Sequence, residues 1–226
     1  MHYDPALDNH GLAFNPFKSL VGPRPIAWIS TVSKDGIDNL APFSQFQNLS
    51  YDPPLVMIAI NQTGMEEDNI HRKDTVNNIE ATGEFVYNMV PYAVKEKMNL
   101  TAVPHEPSVD EFQVAGLTKL DSLKVKPKRV AESPIQFECE YLQTIRFRGV
   151  NPKGTCDMII GRVLEIHIAD EYILPNGKID ILKIRPLARL GYFDFTTVDS
   201  SFSMPVPVSD PRILHAFEGK PLNSMK

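Results

Sequence analysis

The chain has little cysteine and little net charge, and it has no long apolar run. Its 226 residues include two cysteines, Cys139 and Cys156, which flank a hairpin whose turn reads Asn151-Pro152-Lys153-Gly154. That register sets Cys156 opposite a residue near Gly149, whereas a disulfide needs Cα atoms within about 7 Å, so two free thiols are expected. Neither has a Cys or His at ligand spacing, which argues against a metal site. No apolar segment approaches the roughly 20 residues that cross a bilayer, and Met-His-Tyr-Asp-Pro at the start lacks the basic and apolar regions of a secretory signal. A cytoplasmic protein without membrane partners is expected. A net charge of −5 gives no general attraction to nucleic-acid phosphates, and the run Lys124, Lys126, Lys128, Arg129 is too short to reverse it. Repeats, low-complexity linkers and shifts of composition are absent too. With 42% hydrophobic residues, the sequence predicts one domain over 1–226, ending in an extended proline-rich arm around Met204 to Pro211. Nineteen prolines against twelve glycines predict many fixed bends.

What is present is dominated by β patterning. Ile26 to Ser33 reads as a strand, Lys34-Asp35-Gly36 as a turn with glycine at a left-handed position, and Asn39 onward as the returning strand. On that return Ala41 is small and Pro42 lacks a donor, which predicts a local irregularity where a ligand approaches; an ordinary edge strand with a proline fits equally. Pro54 to Asn61 is a buried strand. Asp74 and Thr75 are N-cap residues for a helix reaching about Ala81, with Gly83 ending it before a strand from Glu84 to Val90. Tyr92 to Leu100 is a second helix, and Ala102 to Gly116 a lid or excursion with a brief helix rather than regular core. Ile135 to Val150, Met158 to Ala169 and Lys178 to Arg185 read as further strands, with Pro175-Asn176-Gly177 a turn. The expected fold is mainly β with some α: a split β-barrel with a few peripheral helices rather than a doubly wound sheet.

PRPIAWIST, followed by G-x-x-N-L-A-P-F-S-x-F and D-P-P-L-V-M-I, resembles the flavin reductase-like family of FMN-binding split barrels. The likeness continues through Arg72 to Ile79, Thr82 to Asn88, Asp110 to Leu117, Gly161-Arg162-Val163 and Pro186 to Gly191, and so spans nearly the whole chain. The resemblance implies an oxidoreductase that binds FMN and takes hydride from NADH or NADPH. Its partners would be flavin and nicotinamide nucleotides, a monooxygenase or redox protein, and a second copy of itself in a homodimer, since split-barrel relatives place flavin near a subunit interface.

FMN demands donors and positive charge for its phosphate, apolar walls for its ring, and directed hydrogen bonds for its heteroatoms. Lys73 before the helix and the Thr75 hydroxyl suit the phosphate, and the resemblance places phosphate contacts at Lys73, Asp74, Thr75 and near Ser44. A surface lysine beside an ordinary N-cap is the plainer reading. Backbone groups of Trp28, Ile29, Ser30 and Thr31, and of Asn39, Leu40, Ala41 and Pro42, are expected along the ring edge, with Trp28 serving either as flavin wall or as core anchor. Phe46, Asn61 and Gln62 are further candidates for the same cleft. No side chain is assigned to catalysis, because hydride passes directly between stacked rings; His71, His105 and His167 are read as surface or packing residues. Many short reductases of this type carry an Asp-His pair before the late Gly-x-Val strand. Here Asp157-Met158 stands in its place, and methionine cannot supply the histidine's hydrogen bond or proton transfer. A flavoredoxin-like protein that receives electrons from a protein partner is therefore the alternative.

Overall fold

The structure, a computed structural model, describes residues 1–62, 72–149, 154–204 and 207, and the backbone of Met65–Glu66 and Asn69–Ile70. Strands β1 (Arg24–Pro25), β2 (Ala27–Val32), β3 (Asp38–Phe43), β4 (Phe46–Tyr51) and β5 (Pro54–Asn61) come first, then the ribbon β6 (Met65–Glu66) and β7 (Asn69–Ile70). Helix α1 (Asp74–Thr82) leads to β8 (Glu84–Met89), and α2 (Lys95–Leu100) and α3 (Glu111–Val114) lead to β9 (Lys119–Leu120) and β10 (Arg129–Val130). The long β11 (Ile135–Phe147) and β12 (Cys156–Ile168), the one-turn helix α4 (Ile181–Ile184), β13 (Leu187–Gly191) and β14 (Asp194–Thr197) follow.

Seven strands make one antiparallel sheet in the order β3-β2-β8-β11-β12-β5-β4. Its two outer strands, β3 and β4, are joined by Ser44 and Gln45 alone. In a flat sheet six interstrand spacings would separate them by about 29 Å. Three Cα steps reach at most about 11 Å. The sheet must therefore roll up until its edges meet at that link, which the Gln45 carbonyl ties to β5 by accepting the Ala59 N–H at 2.8 Å. The result is the expected split barrel, open between β3 and β4 beyond the link.

Alternation along β2 sends its side chains into two cores. Ala27 and Ile29 face the barrel interior with Ile58, Ile60, Phe85 and Ile159, while Ile26 and Trp28 face an outer core with Leu40, Met98 and Phe112 under α2 and α3. Each fully buried large apolar side chain contributes roughly 1.5–3 kcal/mol. Helix α1 adds Val76 and Ile79 to the interior, and Gly83 ends it at φ 77° with its N–H on the Ile79 carbonyl.

Several expectations need correction. The N-cap of α1 is Lys73, with Asp74 already helical, because the Lys73 N–H is held by Gln62 Oε1 at 2.8 Å and its backbone stays extended. The β2–β3 pairing runs without a break from Val32 opposite Asp38 to Ala27 opposite Phe43, so Pro42 makes no bulge; β3 is an edge strand and tolerates it. Lys178 to Arg185 is not a strand. The Asp180 carboxylate accepts the Lys183 N–H at 3.0 Å and starts α4, Pro186 follows, and the strand there is β13. Within the expected lid, Phe112 and Glu111 are buried. The cysteines are free, Cys139 opposite Val163 and Cys156 opposite Phe147, and burial pushes the Cys139 thiol well above its ordinary range. Thr63-Gly64, Asn151 to Lys153, and much of the arm beyond Met204 lie outside the described residues.

Gly161 lies where β12 crosses Phe85: a Cβ there would stand 2.5 Å from Phe85 Cε1 and 3.1 Å from the Glu140 carbonyl oxygen. Phe85 is fully buried and has nowhere to retreat. Gly161→Ala is expected to lower stability by about 1–3 kcal/mol, with Phe85→Leu in the same chain recovering part of the loss, as read from urea unfolding.

Candidate functional site

Edge strands expose unpaired backbone, and here one edge is sealed by a carboxylate. Glu111 of α3 accepts the Leu40 N–H at 3.0 Å and the Asn39 amide at 3.1 Å, doing for β3 what a neighbouring strand would do. Burial raises the Glu111 pKa, while these hydrogen bonds oppose the shift. Asn39 Oδ1 accepts the Thr75 hydroxyl at 3.0 Å and the Thr31 hydroxyl at 3.3 Å, so β2, β3 and α1 are locked together through one amide.

Between β3, the start of α1 and the 101–105 loop lies a cleft of about 210 Å³, lined by Asn39, Ala41, Pro42, Lys73, Asp74 and Thr75, with Arg72, His105 and Glu111 beside them. Lys73 forms no ion pair among the described residues; its ammonium lies 5.5 Å over the Phe43 ring, and burial lowers its pKa. No side chain among the described residues caps α1. A partly desolvated cation at a helix start thus stands in a cleft, where an anion is favoured. His105 Nε2 is buried there without a hydrogen-bond partner. Burial and Glu106 raise the Asp74 pKa.

The start of α1 is positioned from behind. Asp157 of β12 is fully buried and accepts from Arg146 Nε at 2.7 Å, Arg72 Nε at 3.2 Å and Gln62 Nε2 at 2.8 Å; Gln62 then holds the Lys73 N–H.

Six of the candidate residues therefore share one cleft, and the rest do not. Trp28, Ile29 and Ser30 belong to an interior strand whose backbone is paired on both sides, to β3 and β8, so it has no edge to offer a ring. Trp28 is a core anchor with its Nε1–H on the Thr101 hydroxyl at 2.8 Å; Ser30 donates to the Lys128 carbonyl. Leu40 and Ile29 are buried core residues. The Thr75 hydroxyl and Thr31 are spent on Asn39 rather than on an anion. Phe46 stacks on Tyr87 with ring centroids 4.6 Å apart. Gln62 is buried behind the helix, and Ser44 and Asn61 line a second cleft of about 1050 Å³. His167 bonds to the buried Glu138 at 2.6 Å, as a packing residue does; His71 lies outside the described residues. His105, read as a surface or packing residue, is the one the tertiary structure brings to the cleft, and its proline-flanked loop carried no periodic signal to place it. Among the described residues no helix is long and apolar enough to cross a membrane, and no cluster could hold a metal ion.

Residues 22–182 match the family described as the flavin reductase like domain. An uncharacterized protein of Aquifex aeolicus is 42% identical over 76% of this chain and 83% of its own length. One from Halalkalibacterium halodurans is 35% identical over 84% and 90%. The chain belongs to the flavin reductase-like family. Nitrilotriacetate monooxygenase component B from Bacillus cereus superposes with a TM-score of 0.81 at 27% identity, over 90% of this chain and 98% of that one. Pseudomonas fluorescens 2-nitrobenzoate 2-nitroreductase NbaA gives 0.78 at 26%, over 93% and 98%. Flavoredoxin of Desulfovibrio vulgaris, at 16% identity and a TM-score of 0.70 over 89% and 100%, shares the fold.

Removing the Asp157 charge would leave Arg72 and Arg146 facing a neutral amide in a buried position. Because Arg72 keeps Glu80 as a partner at 2.6 Å and Arg146 is half-exposed, Asp157→Asn is expected to cost about 1–3 kcal/mol of stability in urea unfolding. A loss below about 1 kcal/mol would show that the clamp does not hold the helix start.

Proposed function

We propose that this protein is an NAD(P)H-dependent flavin reductase that holds FMN in the cleft between β3 and α1. The observation that carries the reading is Lys73, a cation half removed from water and without an acidic partner among the described residues, at an uncapped helix start beside Ala41 and Pro42 of the outer strand β3. Lys73 and the α1 start would bind the terminal phosphate; Ala41 and Pro42 would keep the edge flat enough for a ring to lie on it; His105 Nε2 would take up the hydrogen bond it lacks in the protein alone. FMN, when bound, supplies a ring that accepts hydride from a dihydronicotinamide and passes electrons onward. The protein's own part is to align the rings and exclude water, which needs no acid–base pair. A partner monooxygenase is in keeping with the likeness to a component B.

A homodimer belongs to the same proposal. Along the β11–β12 ribbon Leu142, Ile145 and Phe147 are exposed toward its turn and Leu164, Ile166 and Ile168 toward its opposite end, apolar surface that a second copy would cover. Light scattering that returns a monomer with full flavin occupancy would remove this element. The second reading, an electron carrier fed by a protein, is favoured by Met158 in place of a histidine.

Anaerobic titration of the FMN-loaded protein with NADH and NADPH is expected to bleach the oxidised flavin with at least one of them. Tight FMN binding with no bleaching by either would favour the carrier. FMN is expected to bind more tightly than FAD, and Lys73→Ala to weaken it by about 1–3 kcal/mol in calorimetry. The sign of the pH effect follows from Lys73: its pKa is lowered in the free protein and would rise beside a phosphate, so affinity falls as pH climbs through the lowered pKa. Lys73→Arg keeps its charge and should flatten that decline. Unchanged affinity in Lys73→Ala would place the phosphate elsewhere.

A further inference from the structure

Arg24 of β1 and Arg189 of β13 are direct cross-strand partners, a register that sets two like charges face to face. Neither forms an ion pair with a carboxylate among the described residues. Arg24 Nη1 donates to the Val21 carbonyl and Arg189 Nη2 to the Tyr192 carbonyl, while Arg24 Nε is buried with no partner. Burial and the neighbouring Arg24 both lower the Arg189 pKa, with Asp194 opposing from a distance. Like charges so placed disfavour one another, and an anion between them would turn the repulsion into attraction.

Both arginines line the second cleft with Lys18, and its described lining includes the aromatic residues Phe14, Phe17, Tyr192 and Phe193 but no Asp or Glu. The wall is built in, not incidental. Gly191, at φ 132°, lets the amino-terminal segment lie on β13; a Cβ there would stand 2.7 Å from the Lys18 carbonyl oxygen. Ser44 lines this cleft and Phe43, one residue earlier, lines the cleft assigned to FMN, so the two open on either side of the same strand end.

We propose that Arg24 and Arg189 bind the carboxylate or phosphate of the small planar molecule that exchanges electrons with the flavin, its ring held by the aromatic walls. The proposal rests on the flavin reading above and deepens it. Two sources share this chemistry: a phosphate of the nicotinamide donor, and an aromatic carboxylate acting as acceptor.

The test uses FMN-loaded wild type, Arg24→Gln, Arg189→Gln and Arg189→Lys, each confirmed folded by its melting temperature. Calorimetry follows benzoate against neutral benzamide; anaerobic stopped-flow follows NADH and NADPH at increasing concentration. Benzoate binding, or the apparent donor affinity, should weaken about 10–100-fold in both glutamine variants, with partial recovery in Arg189→Lys and FMN affinity unchanged. Loss confined to benzoate identifies a carboxylate acceptor, and loss confined to the nucleotides identifies the donor phosphate. Unchanged binding of every anion would overturn the proposal. So would loss of FMN in parallel with Lys73→Ala, which would assign the cleft to the flavin's own phosphate. Failure of the wild type to bind flavin at all would sink the reductase reading instead, and benzoate binding to that flavin-free protein would still report on the arginines.

Discussion

The two-residue link between β3 and β4 is the constraint on which the rest of the structure depends. Ser44 and Gln45 join strands at opposite ends of a seven-strand order, so the sheet has no choice but to curl. Curling gives Ala27, Ile29, Ile58 and Phe85 a common interior and leaves β3 as a half-open edge at the split. Both clefts border that split, one reached by Phe43 and the other by Ser44. Closure and site formation are one geometric event: a longer link would relax the curl and let β3 find another partner strand.

Buried carboxylates then determine what the split exposes. Glu111 closes the Leu40 edge, Asp157 anchors the start of α1, and Glu138 accepts the Leu123 and Lys124 N–H groups at 2.8 and 2.6 Å. Burial alone would raise the Glu138 pKa, yet those two amides and His167 hold it below the ordinary range. Each buried anion is met by backbone amides, side-chain donors or arginines, which is what makes it tolerable away from water. The cations at the clefts are treated differently. Lys73, Arg24 and Arg189 have no carboxylate partner among the described residues, and unbalanced charge in a concave site is more informative about ligands than the many ion pairs elsewhere on the surface.

Much of the local structure was legible in the sequence because it depends on short-range chemistry. Gly36 in the hairpin turn, Gly83 at the end of α1 and Gly177 after Pro175-Asn176 all take the positive φ that their positions suggested. Trp28 could be read either as flavin wall or as core anchor, and its Nε1–H on Thr101 beside Met98 decides for the core. Asp180 shows the limit. Its side chain captured the Lys183 N–H and turned an apolar strand-like run into a helical turn, a local competition that hydrophobic pattern does not register.

By itself the sequence pointed to the first hairpin and its turn, the strands from Pro54, Glu84, Ile135 and Met158, the helix ended by Gly83 and the split-barrel family; of its fifteen candidate residues, six, from Asn39 to Thr75, gather in one cleft. Only the tertiary structure decided that β2 is interior and so cannot present its backbone, that Ser44 and Asn61 face a different cleft, that His105 returns to the site across the outer core, and that Arg24 meets Arg189. The physical reason is separation along the chain. Strand order and cross-strand register bring together residues far apart in sequence, and neither periodicity nor side-chain type says which strand will lie at an edge.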